Sequence, residues 1–143
     1  MPALRGVLDT NLLVSFLLTQ GRTMSRIIDY WSDGDIVVIV SPAIVEELVE
    51  VVQRPRLRQQ MIADPGVLID LLSSEAIHIN GDLALSGASR DAKDDKFLAC
   101  AVEGEAIYIV SGDKDLLSLE NFRGVAVVRP ADFVDLIEAS RNI

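Results

Sequence analysis

The chain has 143 residues, of which 50% are hydrophobic and 24% are charged, with a formal net charge of −9. This length and apolar content exclude a disordered chain, and they are typical of one globular domain, which we expect to span residues 1–143. The acidic balance argues against a protein that holds nucleic acid by charge alone. A single cysteine excludes an internal disulfide framework and a thiolate zinc cluster.

Apolar runs and helical patterns alternate along the chain. Strands are predicted at Leu4–Leu8, Ile36–Val40, Ala76–Ile79, Ala106–Val110 and Val125–Val128. Helices are predicted between them, at Leu12–Leu18, Met24–Trp31, from Pro42 onward, Val67–Ser73, Lys93–Glu103 and Ala131–Ala139. This alternation predicts an α/β fold with a parallel sheet, in which functional sites form at the carboxyl ends of the strands.

The first apolar helix, Leu12–Leu18, is too short to span a bilayer. Acidic and amide side chains precede it, where a signal peptide would carry a basic segment. We therefore expect no membrane association and a cytoplasmic location.

Two acidic residues follow the first two predicted strands. Asp9 comes directly after the first strand, where an N-cap of the next helix is an alternative role. In the helix that begins at Pro42, Glu47 shares a ridge with Ile44 and Val51 and lies at the border of the apolar face. Its neighbour Glu46 lies further round toward solvent. An exposed glutamate at the edge of the helix remains the alternative for Glu47.

A further acidic residue interrupts the segment RDAKDDKFLACAV. Phe97, Leu98 and Ala101 define the apolar face of this helix, and the centre of that face passes through Asp94. Stabilisation by the helix dipole explains an acid in the first turn, but it does not explain an acid that faces the core. Asp95 is predicted at the border of the same face.

The fourth predicted strand is followed by Asp113, and by Asp115 two residues later, for either of which a turn cap is the alternative. Asp9, Glu47, Asp94 and Asp113 each follow a different strand, so a parallel sheet would bring them together at one edge. Converging carboxylates repel one another unless a cation lies among them. Oxygen ligands without histidine or cysteine favour Mg²⁺ or Mn²⁺.

Four motifs resemble those of PIN-domain proteins in order and spacing, especially the branch of toxins from toxin–antitoxin pairs related to VapC. The motifs are LDTNLLVS, SPAIVEELVEVVQRPRL, RDAKDDKFLACAV and IVSGDKDLL. The resemblance implies a three-layer α/β/α fold around a central, mostly parallel five-stranded sheet. It also implies an endoribonuclease that depends on one or two Mg²⁺ or Mn²⁺ ions and cleaves RNA with a metal-activated water, leaving 5′-phosphate and 3′-hydroxyl ends.

The resemblance also implies roles for individual residues. Its catalytic and metal-binding quartet maps onto Asp9, Glu47, Asp94 and Asp113. Asp115 matches a frequent fifth acid that is either a ligand or a cap, and Thr10, Asn11 and Ser111 match supporting positions. Asp95 stands where relatives often carry asparagine.

The positions of basic and apolar residues indicate two kinds of partner, RNA and another protein chain. Candidate RNA contacts are the basic residues Arg22, Arg26, Arg54, Arg56, Arg58, Lys93, Lys96 and Lys114. The apolar surplus in the first helices predicts an exposed patch for a cognate antitoxin or for a homodimer or higher oligomer. The single histidine, His78, lies in a strand-like segment, and we expect a structural role for it.

Three other classes of protein remain as alternatives. A phosphatase of the haloacid dehalogenase type needs a second aspartate two residues after the first, where this chain has Asn11. A receiver-type signalling domain also gathers acids around Mg²⁺, but it requires paired acids near the first strand. A non-catalytic module that binds only a metal or a partner is the third.

Overall fold

The computed structural model describes residues 3–141. Within them lie the strands β1 (Leu4–Leu8), β2 (Ile36–Val40), β3 (Ala76–His78), β4 (Tyr108–Val110), β5 (Asn121–Phe122) and β6 (Val125–Val128). The helices in the same range are α1 (Thr10–Thr19), α2 (Arg22–Ser32), α3 (Pro42–Val52), α4 (Pro55–Gln60), α5 (Pro65–Glu75), α6 (Asp95–Glu103), α7 (Lys114–Leu117) and α8 (Pro130–Arg141). A 3-10 helix, Ala92–Asp94, leads into α6. Residues 1–2 and 142–143 of the expected domain lie outside this range.

The strands form one sheet in the order β3-β2-β1-β4-β6-β5. All neighbouring pairs are parallel except β5 and β6, which are antiparallel. The chain builds outward from β1 through β2 to β3, and then returns to place β4 on the other side of β1. The order therefore reverses between β1 and β4, and in open α/β sheets a crevice forms at the carboxyl ends of such a pair.

Helices cover both faces of the sheet. Three consecutive residues of β2, Val38, Ile39 and Val40, are each at most 3% exposed, although neighbouring side chains of a strand point to opposite faces. Helix α6 packs on β1, β2 and β4, while α2 packs on β2 and contacts α5 and α8. Continuous apolar strands of this kind are typical of parallel sheets buried on both sides.

The predicted α/β class with a mostly parallel sheet is confirmed, and the differences are local. Within residues 3–141 the sheet has six strands where five were expected, because the two-residue strand β5 is too short to show an apolar pattern and was not predicted. The strand predicted from Ala106 begins at Tyr108 instead. The amide of Ala106 donates to the Ala101 carbonyl at the end of α6, so Ala106 closes the helix before the strand can start.

Within residues 3–141, each helix is too short or too polar to cross a bilayer.

Candidate active site

Asp9 and Ser111 lie at the carboxyl ends of β1 and β4, on either side of the point where the strand order reverses. The Asp9 carboxylate is buried and accepts two hydrogen bonds, from the Ser111 hydroxyl at 2.7 Å and from the backbone N–H of Asn11 at 3.0 Å. The second bond makes Asp9 the N-cap of α1, so the capping alternative describes part of what this residue does. Burial raises the pKa of Asp9, and Asp113 and Glu47 raise it further, although the two hydrogen bonds oppose this effect.

Ser111 connects Asp9 to the acids that follow β4. Its side chain is fully buried, and its oxygen accepts a hydrogen bond from the Asp113 amide at 3.0 Å. The Asp113 carboxylate in turn accepts from the amides of Asp115 and Leu116, at 2.7 and 3.3 Å, and caps α7. The three side chains after β1 and β4 are therefore held in one hydrogen-bonded chain.

Glu47 reaches the same crevice from α3 and is half-buried there. Its carboxylate pairs with the ammonium group of Lys96 on α6, which is also largely buried. Glu46, one residue earlier, is exposed. The two adjacent glutamates thus occupy different surroundings, as their positions on the helix predict.

Asp94 is the most electrostatically perturbed acid of the site. It is 6% exposed, and its Oδ2 atom is buried without a hydrogen-bond partner among residues 3–141. Burial, followed by the charges of Asp113, Asp91 and Asp9, raises the pKa of Asp94 to about 6. A buried carboxylate oxygen without a partner costs free energy, and a water molecule or a cation beside this atom would offset that cost.

These side chains line one crevice of about 490 Å³, which we call the acidic pocket. The four predicted carboxylates Asp9, Glu47, Asp94 and Asp113 all contribute to its wall, as does Asn11. The convergence expected from a parallel sheet is therefore present in the structure.

Asp91 also lines the acidic pocket, although it was not among the predicted site residues. It caps the 3-10 helix by accepting a hydrogen bond from the Lys93 amide at 3.0 Å. Carboxylate oxygens of Asp91, Asp94 and Asp115 lie within 4.8 Å of one another. The spacing of Asp91 three residues before Asp94 was the available signal, because side chains three apart lie on one side of a helical turn.

The residues of the acidic pocket fit a divalent cation. Its donors are carboxylate oxygens, which Mg²⁺ and Mn²⁺ prefer. In the described part of the chain, Asp94 Oδ2 and the Thr10 hydroxyl are buried polar atoms that lack a partner at this edge of the sheet. Several acids without an equal number of cations would repel one another in the absence of such an ion.

Asp95 differs from its predicted place at the border of the apolar face. It is 6% exposed, and its two oxygens accept hydrogen bonds from the amides of Gly87 and Ser89, at 3.1 and 2.8 Å. The irregular segment 79–91 folds over this side of α6 and buries Asp95. The carboxylate therefore anchors the segment that carries Asp91.

The basic residues proposed as RNA contacts are dispersed. Arg54, Lys93 and Lys96 line the acidic pocket, and Arg54 forms an ion pair with Glu50 there. Elsewhere, Arg22 lines a groove next to Gly112, Arg26 pairs with Glu138, and Arg56, Arg58 and Lys114 are exposed. The His78 ring is hydrogen-bonded to the Leu72 carbonyl at 2.9 Å, in agreement with a structural role.

Comparisons with known proteins agree with this architecture. The chain is 33% identical to the uncharacterised protein MJ1680 of Methanocaldococcus jannaschii over 117 residues, which cover 80% of this chain and 74% of that protein. The fold is similar to a chain of VapBC2 from Rickettsia felis, solved bound to a DNA fragment from its promoter, with a TM-score of 0.59 and 12% identity. That match covers 88% of this chain and 98% of the other.

A second solved structure, the PIN-domain endonuclease Utp24, matches with a TM-score of 0.58 and 12% identity over 90% of this chain and 86% of its own. At such low identity, both structures show the fold alone. The sequence profile described as the PIN domain matches residues 5–115, which include all the acids of the acidic pocket. By this match, the chain belongs to the PIN-domain family.

Proposed function

We propose that this protein is an endoribonuclease that depends on Mg²⁺ or Mn²⁺ and acts as the toxin of a toxin–antitoxin pair. The observation that carries the proposal is the buried, unpartnered oxygen of Asp94 among the other carboxylates of the acidic pocket. Membership of the PIN family supports a nuclease as the kind of enzyme.

The metal would be held by Asp9, Glu47, Asp94 and Asp113, with Asp115 as a further ligand on the side of Asp91. One ion or two would fit this number of acids. When bound, such an ion would lower the pKa of a water ligand and neutralise charge on the phosphodiester. Glu47 would exchange its ion pair with Lys96 for the metal.

Neighbouring groups of the protein would hold the carboxylate ligands in a fixed orientation. The Ser111 hydroxyl and the backbone N–H of Asn11 hold the two oxygens of Asp9, and backbone N–H groups at the start of α7 hold Asp113. Carboxylates that are already held in place need little reorganisation during the reaction, which favours catalysis. Within residues 3–141 the acidic pocket is lined by carboxylates and not by histidine, so we assign no histidine base.

RNA would be held by the cations around the pocket. Lys93, Lys96 and Arg54 lie at its wall and would contact phosphates on either side of the scissile bond. These few contacts must act against a net charge of −9, so RNA binding should weaken steeply as salt rises.

An apolar groove supports the partner interface that the sequence predicts. It lies between α1, α2 and α5 and is bordered by Ile62 and Val67, which are 65% and 68% exposed. We propose that an antitoxin or a second copy of the chain binds there. The toxin role would place this single domain in the cytoplasm, together with its RNA.

A metal titration on defined RNAs tests the proposed function. Purified protein is incubated with single-stranded RNA, or with a generic phosphomonoester, across a series of Mn²⁺ and Mg²⁺ concentrations. The proposal predicts metal-dependent cleavage of RNA and no turnover of the phosphomonoester. Turnover of the phosphomonoester alone would favour the phosphatase alternative, and turnover of neither would favour a binding module.

A further inference from the structure

A second cavity adjoins the acidic pocket on the other side of Lys96. This cavity, the side pocket, has a volume of about 320 Å³ and opens between α3, α6 and the segment that follows β3. Lys96 lines both cavities, and the consecutive residues Glu46 and Glu47 divide between them, with Glu46 on the side pocket and Glu47 on the acidic pocket. A strand whose phosphate lies at Lys96 would therefore have a neighbouring nucleotide within reach of the side pocket.

The side pocket is lined by apolar side chains together with the polar residues Ser41, Lys96 and Glu103. Ile79, Leu83 and Cys100 form walls, and burial raises the pKa of the Cys100 thiol to about 12, so this wall is uncharged at neutral pH. The exposed side chains of Asn80 and Glu46 lie at the rim. A largely apolar lining with a few polar groups is typical of pockets that bind small organic ligands.

The wall opposite α3 is held in place by α6. The Glu103 carboxylate accepts hydrogen bonds from the amides of Gly81 and Leu83, at 3.0 and 2.8 Å. Gly81 has φ of +80°, and a Cβ atom there would lie 3.1 Å from Cδ of Pro42 at the start of α3. The positive φ and the close approach to Pro42 both favour glycine at this position, and the hydrogen bonds from Gly81 and Leu83 fix the segment against α6.

We propose that the side pocket binds a guanine base of the RNA strand, next to the phosphodiester that is cleaved. This inference rests on the proposed function and adds a sequence preference to it. Proteins read single-stranded RNA through bases that leave the stack, pack against protein side chains and form hydrogen bonds along their edges. Lys96 would contact the phosphate between the guanine and the acidic pocket.

Glu46 selects guanine over adenine and cytosine. An ionised carboxylate only accepts hydrogen bonds, with two oxygens side by side. The Watson–Crick edge of guanine presents two adjacent donors, N1–H and the N2 amino group, which match them. Adenine and cytosine place an acceptor nitrogen next to their amino group, and that nitrogen would face a carboxylate oxygen.

Three variants separate this pocket from the chemistry of the acidic pocket. Ala43→Trp places a large ring at the mouth of the side pocket, at an exposed position of α3 where the fold should tolerate it. Its matched control is Ala139→Trp, at an exposed position of α8. Glu46→Gln keeps the size of the side chain but replaces one acceptor with a donor. The amide therefore keeps only one of the two hydrogen bonds from N1–H and N2 of guanine, whereas it can pair with both the donor and the acceptor of adenine.

The experiment compares kcat/KM in Mn²⁺ on uridine oligoribonucleotides that carry one central guanosine, inosine or adenosine. For the wild type and Ala139→Trp, we expect cleavage beside guanosine to exceed cleavage beside adenosine by about tenfold or more. Inosine, which lacks the N2 amino group, should fall between them. Ala43→Trp should abolish the preference mainly through KM, and Glu46→Gln should shift it toward adenosine.

The experiment distinguishes an error in the guanine-site proposal from an error in the proposed nuclease function. If the wild type cleaves all three RNAs at equal rates, or if Glu46→Gln leaves the ratio of guanosine to adenosine unchanged, the side pocket does not bind guanine. If the wild type cleaves none of them in Mn²⁺, the proposed function is wrong and the guanine site is wrong with it.

Discussion

The Ser111 hydroxyl donates a 2.7 Å hydrogen bond to Oδ2 of Asp9, although the two residues are 102 positions apart. The bond is possible because β4 returns to pair with β1 after the chain has built the other half of the sheet. It fixes the first acid of the acidic pocket from the neighbouring strand. The site therefore depends on the reversal of strand order as much as on the acids themselves.

Ser111→Ala tests this connection. The substitution removes the donor and leaves a buried oxygen of Asp9 unpartnered, which should cost about 1–3 kcal/mol of unfolding free energy. Mutation of a residue that orients a metal ligand typically lowers the metal affinity by about 10–100-fold, so we expect a loss of Mn²⁺ affinity in this range. Denaturant unfolding without metal and calorimetric Mn²⁺ titration measure the two effects.

Ser73→Ala is the control for that variant, since Ser73 is exposed on α5 and donates only to the Ile69 carbonyl. It should change neither quantity. Equal Mn²⁺ affinity in Ser111→Ala and the wild type would show that Asp9 keeps its orientation without Ser111.

Asp94→Asn should abolish cleavage while leaving the fold as stable as the wild type, or more stable, in the absence of metal. The substitution removes a buried charge that is surrounded by other acids, and with it one proposed ligand. Initial cleavage rates and thermal unfolding in EDTA check both effects, with the exposed Asp70→Asn on α5 as control. Cleavage at the wild-type rate would make Asp94 a structural residue.

The raised pKa of Asp94 predicts a particular dependence of stability on pH. The folded chain binds this proton more tightly than the unfolded chain, so the contribution is fully present below a pH of about 3.8 and is lost as the pH rises through about 6. In EDTA, the unfolding free energy of the wild type should therefore fall relative to Asp94→Asn between about pH 4 and pH 7. If the unfolding free energies of the two proteins changed equally with pH, the raised pKa of Asp94 would be contradicted.

Mn²⁺ should make the wild type more stable relative to Asp94→Asn, the reverse of the effect expected in EDTA. Metal binding requires the deprotonated carboxylate, and only the folded chain assembles the acids, so the ion stabilises the wild type by mass action. The melting temperature of the wild type should rise with Mn²⁺ above a pH of about 6, and that of Asp94→Asn should rise much less. Identical melting temperatures of the wild type in EDTA and in saturating Mn²⁺ would argue against a metal site.

Glu47 and Glu46 should differ in metal binding although they are adjacent and chemically identical. Glu47→Gln removes a proposed ligand from the acidic pocket, and we expect it to lose most of its Mn²⁺ affinity. Glu46→Gln alters an exposed side chain on the side pocket and should bind Mn²⁺ as the wild type does. Calorimetric titration of both variants with Mn²⁺ measures this difference. Equal losses of Mn²⁺ affinity would mean that both glutamates bind the ion.

The sheet and four acids of the acidic pocket could be predicted from the sequence because parallel strands obey a simple rule. Acids that follow such strands meet at one edge, so the positions of Asp9, Glu47, Asp94 and Asp113 predicted their proximity. The helical pattern around Asp94 also predicted its burial. Each of these inferences needed only local periodicity and the order of the elements.

The surroundings of Asp91 and Asp95 could not be predicted in the same way, although the spacing of Asp91 from Asp94 offered a local signal. Their surroundings depend on the irregular segment 79–91, whose course is set by backbone amides bonded to Asp95 and Glu103 across the fold. A sequence pattern does not show which distant amide will meet a given carboxylate. The ion pair of Lys96 with Glu47 is of the same kind, since it joins α6 to α3.

The most direct test of the nuclease is the chemistry of the RNA ends that it produces. Wild type and Asp94→Asn are incubated with a single-stranded RNA in Mn²⁺ and in EDTA, and the termini of the products are identified by mass spectrometry. Hydrolysis by a metal-activated water predicts 5′-phosphate and 3′-hydroxyl ends, formed by the wild type only in Mn²⁺ and absent for Asp94→Asn. Cleavage that persists in EDTA with cyclic phosphate ends, or no cleavage by the wild type in Mn²⁺, would contradict the assignment.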